Sequence, residues 1–234
     1  MVPAPKTEKD TQIPTVGQMD RDMFEHQQAV LMNVFQFPLL SNDECQQLTN
    51  TVQNNRYNFP NNGSMQKHTV DVTLLLSDFI NKYMPGIISK INILYDFGKS
   101  VDYNVYAAHA IIYSTTNGER SLSAHTDDSD ITVNIPIYMN QMLGSELRFI
   151  GTAPPYGNSV CIEYFERGRI RHSHAVNTIS HQLGSYILHR GDHPHETSAI
   201  YGGERITLVF WLKRTNGQEN SSQENVEENE APTN

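Results

Sequence analysis

The feature that most constrains this chain is a succession of short, β-prone segments separated by turn formers. Residues 105–113, 131–138, 146–150, 159–165, 184–189 and 205–212 are rich in Val, Ile, Leu, Phe and Tyr, and Gly, Asn, Pro and Asp recur between them. Segments of this length and composition read as strands, and strands that follow one another through turns form a sandwich or a barrel. No internal repeat is present.

Ahead of the strands the texture differs. Residues 29–37 read as a strand, and Ser41 with Glu44 three positions on has the form of a capping box, which predicts a helix from Asn42 to about Val52 with Cys45 and Leu48 on its buried side. Residues 72–83 and 87–94 repeat apolar side chains at helical spacing, interrupted by Pro85-Gly86, so two packed helices or one broken in the middle are expected. Residues 54–66 and 140–145, together with 151–158, read as loops placed to choose a substrate, and Pro154-Pro155-Tyr156-Gly157 as a turn.

The 234 residues are enough for one substantial domain. The expected organisation is a flexible arm at 1–26, a single domain at 27–214 and an acidic disordered tail at 215–234, with helical support at about 41–98. The net charge of −9 owes much to Glu219, Glu224, Glu227, Glu228 and Glu230 of that tail. It gives no footprint for nucleic acid. Cys45 and Cys161 cannot build a disulfide framework, Cys45 reading as a small core residue, and no segment has the length of a signal peptide core or a membrane span. A soluble intracellular protein, cytoplasmic or nuclear, is expected.

Chemistry gathers at two places. His125 and Asp127 are two apart just before the strand at 131–138, a spacing that puts both side chains on one face of an extended backbone. A third ligand must come from elsewhere, and residues 188–211 contain a histidine followed ten positions later by Arg205. Two histidines and one carboxylate on one side of a metal form the arrangement of non-haem Fe(II) oxygenases, and an arginine fork suits an acidic co-substrate. Periodicity does not separate His193 from His195. His172, His174, His181 and His189 read as surface or loop residues, Asp128 and Asp130 as loop solvation, and Arg120 and Arg148 as surface.

In this order, His125-Thr126-Asp127, His195, and Arg205 with Gly203 before it resemble the motifs of the 2-oxoglutarate- and Fe(II)-dependent dioxygenases, within them the prolyl 4-hydroxylase-like catalytic domain. Gly144-Ser145-Glu146-Leu147-Arg148-Phe149 and the entry Phe37-Pro38-Leu39-Leu40-Ser41 are similar to other stretches of that family, and the resemblance covers about residues 29–213. It implies a mainly β fold with packed helices: a double-stranded β-helix, or jelly-roll, at about 101–213. It implies Fe(II) held by His125, Asp127 and His195, with 2-oxoglutarate and O2 as co-substrates and ascorbate as accessory reductant. The far carboxylate of 2-oxoglutarate would pair with Arg205 and accept a hydrogen bond from Thr207, and Tyr113 matches a tyrosine that touches the co-substrate. The implied reaction hydroxylates a C–H bond and yields succinate and CO2, with a protein or peptide side chain as first candidate for the prime substrate. The alternatives are a small-molecule or nucleic-acid substrate, a cupin-type metal protein, and a catalytically idle binding module on the same fold.

Overall fold

Side chains along the longest strands alternate between two buried environments, one apolar and one polar, and this division places the site. The computed structural model describes residues 33–55, 69–151 and 176–215. The expected arm, the strand at 159–165, most of the loops at 54–66 and 151–158, the acidic tail beyond Thr215, and Cys161, His172 and His174 lie outside the described residues.

The chain runs through β1 (Phe35–Pro38), α1 (Asn42–Asn55), β2 (Thr69–Asp71), α2 (Ser77–Leu94), β3 (Tyr103–Ser114), β4 (Leu122–His125), β5 (Ile131–Gly144), β6 (Leu147–Ile150), β7 (Val176–Ile179), β8 (Ser185–Arg190), β9 (His195–Thr197) and β10 (Ile200–Arg214). Two sheets result, a larger one in the order β1-β8-β5-β10-β3-β2 and a smaller one in the order β4-β9-β6-β7. The pairings within them are antiparallel. This is the jelly-roll core with helical support that the resemblance implied. No described helix is long and apolar enough to cross a membrane.

On the outer face of the large sheet, Ile206, Leu208, Phe210 and Leu212 of β10 join Ile131, Val133 and Ile135 of β5 and Ala108, Ala110 and Ile112 of β3. Phe79, Met84, Ile87 and Ile91 of α2 close over them, and Phe79 stacks on Phe210 with centroids 5.4 Å apart. Each fully buried large apolar side chain contributes roughly 1.5–3 kcal/mol, so this face holds the fold together. The inner face alternates with it and carries Arg205, Thr207, Val209 and Trp211 beside Ile111 and Tyr113. It packs against the small sheet, where Leu147 and Phe149 meet Ile187.

The capping box forms as expected: the Ser41 N–H donates to Glu44 Oε2 at 2.9 Å and the Glu44 N–H to Ser41 Oγ at 3.3 Å. Cys45 is buried on α1 beside Thr49 and Val52, and Leu48 is partly buried against the same core. Three expectations need correction. The helix expected from Val72 starts at Ser77, because β2 and a turn precede it. Pro85 does not break α2, which continues through it; Asn81, whose carbonyl would have taken the missing proline N–H, lies on the exposed side, where water can satisfy it. Residues 140–144 are not a loop but the end of β5, paired with β10 through register shifts. Gly203 is needed there: its φ is +72°, and a Cβ would lie 2.1 Å from the Asn140 carbonyl oxygen.

Candidate metal centre

His125 ends β4, His195 opens β9, and the two are register partners, so their imidazoles meet with centroids 4.3 Å apart. Asp127 follows in the connection to β5. Its Oδ1 is 3.5 Å from His125 Nε2 and its Oδ2 is 3.6 Å from His195 Nε2. One ligand atom from each of the three residues falls within 4.8 Å of the others, a set that could hold one metal ion.

The imidazoles are pre-set for such a role. His125 Nδ1 lies 2.8 Å from the Ser123 carbonyl and His195 Nδ1 lies 2.9 Å from the His193 carbonyl. A carbonyl only accepts, so each ring carries its proton on Nδ1 and presents an Nε2 lone pair to the shared point. Asp127 is fixed in the same way, since the Thr132 hydroxyl donates to its Oδ2 at 2.6 Å. Partners of this kind orient metal ligands. Burial alone would raise the Asp127 carboxyl, but His195, His125 and Thr132 outweigh it and hold the group well below the carboxylate range. Burial works against the charged form of His125 too, yet Asp127 lifts that ring above its ordinary value, whereas in His195 burial wins and lowers it.

A second constellation lies deeper on the inner face. Arg205 of β10 faces Tyr113 of β3 across the register, its guanidinium 4.5 Å from the ring centroid. Tyr113 and Thr197 share a hydrogen bond of 3.2 Å between the sheets, and Thr197 stands two residues along β9 from His195. At the rise of an extended strand, two residues span about 7 Å. Arg205 is 1% exposed, and among the described residues its Nε and Nη1 have no hydrogen-bond partner. Burial brings its pKa down to about 10, so it remains charged at neutral pH. Thr207, next on the same face, has an equally unpartnered Oγ1. A buried cation without a carboxylate is costly.

His189 and His181 depart from their surface reading. His189 is fully buried beneath His195, at a centroid distance of 4.5 Å; its Nδ1 donates to the Arg190 carbonyl, so its Nε2 accepts from Asn134. Burial and the neighbouring His195 bring its pKa down to about 3, keeping it neutral. His193 is also fully buried, against Phe149, and lies outside the three-residue set. His181 has both ring nitrogens shielded from solvent. The alternation of the buried run at 185–190 could have placed His189 inward, whereas nothing in the sequence around His181 marks it. Asp128 and Asp130 are exposed, as expected, and Arg148 pairs with Glu146 and Glu196.

Two histidines and a carboxylate set within a jelly roll make this the arrangement of a non-haem metal centre. No family model matches the chain. It is similar to the 2-oxoglutarate and iron-dependent oxygenase domain-containing protein CP2 of Arabidopsis thaliana, 24% identical over 193 residues that cover 77% of this chain and 45% of that protein. With the corresponding protein ICU11 of the same plant it is 32% identical over 99 residues, 42% of this chain and 22% of that one. The chain thus spans less than half the length of these relatives. Among solved structures, a Pseudomonas putida prolyl-4-hydroxylase superposes with a TM-score of 0.54 at 15% identity, covering 81% of this chain and 96% of that one. A Burkholderia pseudomallei oxidoreductase of the 2OG-Fe(II) oxygenase family gives 0.56 at 13% identity, covering 83% and 91%. The chain therefore has the fold of 2-oxoglutarate and Fe(II) oxygenases.

Proposed function

We propose that this chain is an Fe(II)- and 2-oxoglutarate-dependent dioxygenase that hydroxylates a C–H bond on a protein or peptide side chain. The observation that carries the reading is the pairing of two sites, one on the small sheet and one on the inner face of the large sheet: three ligand atoms within 4.8 Å of one another, and a buried arginine with N–H groups unpartnered among the described residues. That combination fits a 2-oxo acid with a second carboxylate. One end of the molecule reaches the metal and the other the guanidinium.

His125, Asp127 and His195 hold the metal, with Thr132 and the Ser123 and His193 carbonyls fixing their orientation. When bound, the iron supplies the activation of dioxygen that couples decarboxylation of 2-oxoglutarate to succinate with hydroxylation of the substrate. Arg205 binds the far carboxylate and Thr207 donates its hydroxyl to it. Tyr113, itself held by Thr197, keeps the guanidinium plane in place. The buried rings of Phe149 and His189 exclude water behind His195.

The choice of a protein side chain is supported by the likeness in fold to a prolyl-4-hydroxylase. It is supported too by an aromatic surface beside the metal set. Tyr106, 41% exposed, stacks on Trp211 at 6.0 Å, and Trp211 is the register partner of Thr132. Aromatic faces of this kind take rings and apolar side chains.

The test is to load the protein anaerobically with Fe(II), add 2-oxoglutarate and record the visible metal-to-ligand charge-transfer band, then admit air and assay succinate. A band and slow succinate formation are expected, both absent in Asp127→Ala. Iron demonstrably bound without either signal would overturn the reading.

A further inference from the structure

Three side chains, two on the inner face of β10 and one in the connection from β7 to β8, have nothing to bond among the described residues. Arg205 Nε and Nη1, Thr207 Oγ1 and both ring nitrogens of His181 are shielded from solvent and have no hydrogen-bond partner among the described residues. Buried polar groups are almost always satisfied. Each of the three therefore calls for a partner, and the Arg205 charge is felt at the His181 ring.

The topology brings His181 near that charge. Ile179, the end of β7, pairs with Leu147, and Leu147 pairs with Thr197, whose hydroxyl is bonded to Tyr113 beneath the guanidinium. On its other side, the Gly184 N–H donates to the Pro136 carbonyl at 2.9 Å, and Pro136 is the register partner of Thr207. The connection from β7 to β8 is thus tied at its far end to the strand beside Thr207 and at its near end to the small sheet that carries Thr197. Burial first, and then the charge of Arg205, hold the His181 ring well below its ordinary pKa. The ring is therefore neutral and has one N–H to give.

A carboxylate offers roughly four acceptor sites. The two Arg205 N–H groups, the Thr207 hydroxyl and one imidazole N–H would occupy them. The geometry points to His181 as a second anchor for the far carboxylate of the 2-oxo acid, donating a ring N–H to the group that Arg205 and Thr207 engage; this rests on the oxygenase reading above. His181 is a binding residue in this account and takes no part at the metal.

The test compares two acids on the full chain loaded with Mn(II), by calorimetry. 2-Oxoglutarate carries the far carboxylate, and 2-oxopentanoate has the same carbon chain without it. His181→Ala is expected to weaken 2-oxoglutarate by about tenfold or more, the scale of a hydrogen bond to a charged group. It should leave the affinities for 2-oxopentanoate and for Mn(II) unchanged. His181→Gln, which keeps an N–H donor, should recover part of the loss, and His181→Asn, with a shorter reach, should behave like the alanine variant and serves in its place if that variant does not fold. Unchanged 2-oxoglutarate affinity, or equal losses for both acids, would overturn the inference while leaving the oxygenase reading intact. A wild-type protein that holds Mn(II) but takes up neither acid would overturn the oxygenase reading, and this inference with it.

Discussion

Thr132 and Arg205 show how single residues set the terms of this site. Thr132 is not one of the three metal-binding residues, yet its hydroxyl holds one oxygen of Asp127 at 2.6 Å. Thr132→Val keeps the shape and removes that donor, and is expected to lower metal affinity by about 10–100-fold, as loss of such outer partners does; Mn(II) titration of the folded variant checks it. Arg205 illustrates the cost of being ready for an anion. Its charge is buried without a carboxylate, so Arg205→Met should stabilise the ligand-free protein by about 1–3 kcal/mol in urea unfolding while weakening 2-oxoglutarate binding. Equal or lower stability would show that the chain itself satisfies the guanidinium. His125, Asp127, His195 and Arg205 stand out in the sequence because their type and spacing are unusual for strand ends. Thr132, Asn134, His189 and His181 do not, because their contacts arise from cross-strand register and from a connection folded back over the sheet, which linear spacing does not encode.

At the scale of elements, the strongly patterned pieces and the short β6 at Leu147–Ile150 were legible, and β2 and the other short strands of the small sheet were not. β3, β5, β8 and β10 carry enough Val, Ile and Tyr to be read directly, and α1 announces itself through Ser41 and Glu44. β2, β4, β7 and β9 have three or four residues each, too few for a period, and exist because neighbouring strands supply their hydrogen bonds. The start of α1 also yields a pH dependence. Hydrogen bonds from Tyr83, the Ser41 backbone and Lys82 hold the Glu44 carboxyl down to about 2, against an ordinary 4.5. The unfolded chain therefore takes up the proton first, so this stability is fully present above about pH 4.5 and is lost as the pH falls toward 2. Glu44→Gln should be less stable than wild type at pH 7 and show a shallower loss over that window in urea unfolding. Ser41→Ala should cost about 1 kcal/mol at neutral pH.

Beyond the pairing of β4 with β9, the molecule as a whole joins the segments that carry Asp127 and His195 through a tight contact between connections. Asp127 belongs to the link from β4 to β5, and Gly191 to the link from β8 to β9, which delivers His195. The Asp127 N–H donates to the Gly191 carbonyl at 2.8 Å, and the Gly191 N–H to the Asp130 carbonyl at 3.2 Å. The two links approach so closely that a Cβ on Gly191 would lie 2.0 Å from the Ser129 carbonyl oxygen. Backbone cannot yield there as a flexible side chain would, so Gly191→Ala must push the Asp127 segment away from the His195 segment. The expected result is a loss of about 1–3 kcal/mol of stability together with a fall in Mn(II) affinity measured on the folded fraction. Ser41→Ala is the control, because it destabilises the chain at α1, remote from the metal set, and should leave that affinity unchanged. If Gly191→Ala lost stability alone, the carboxylate and the distal histidine would be positioned by their own strands, independently of one another. If both fall, the contact between the two links is what turns residues some seventy positions apart in the chain into one centre.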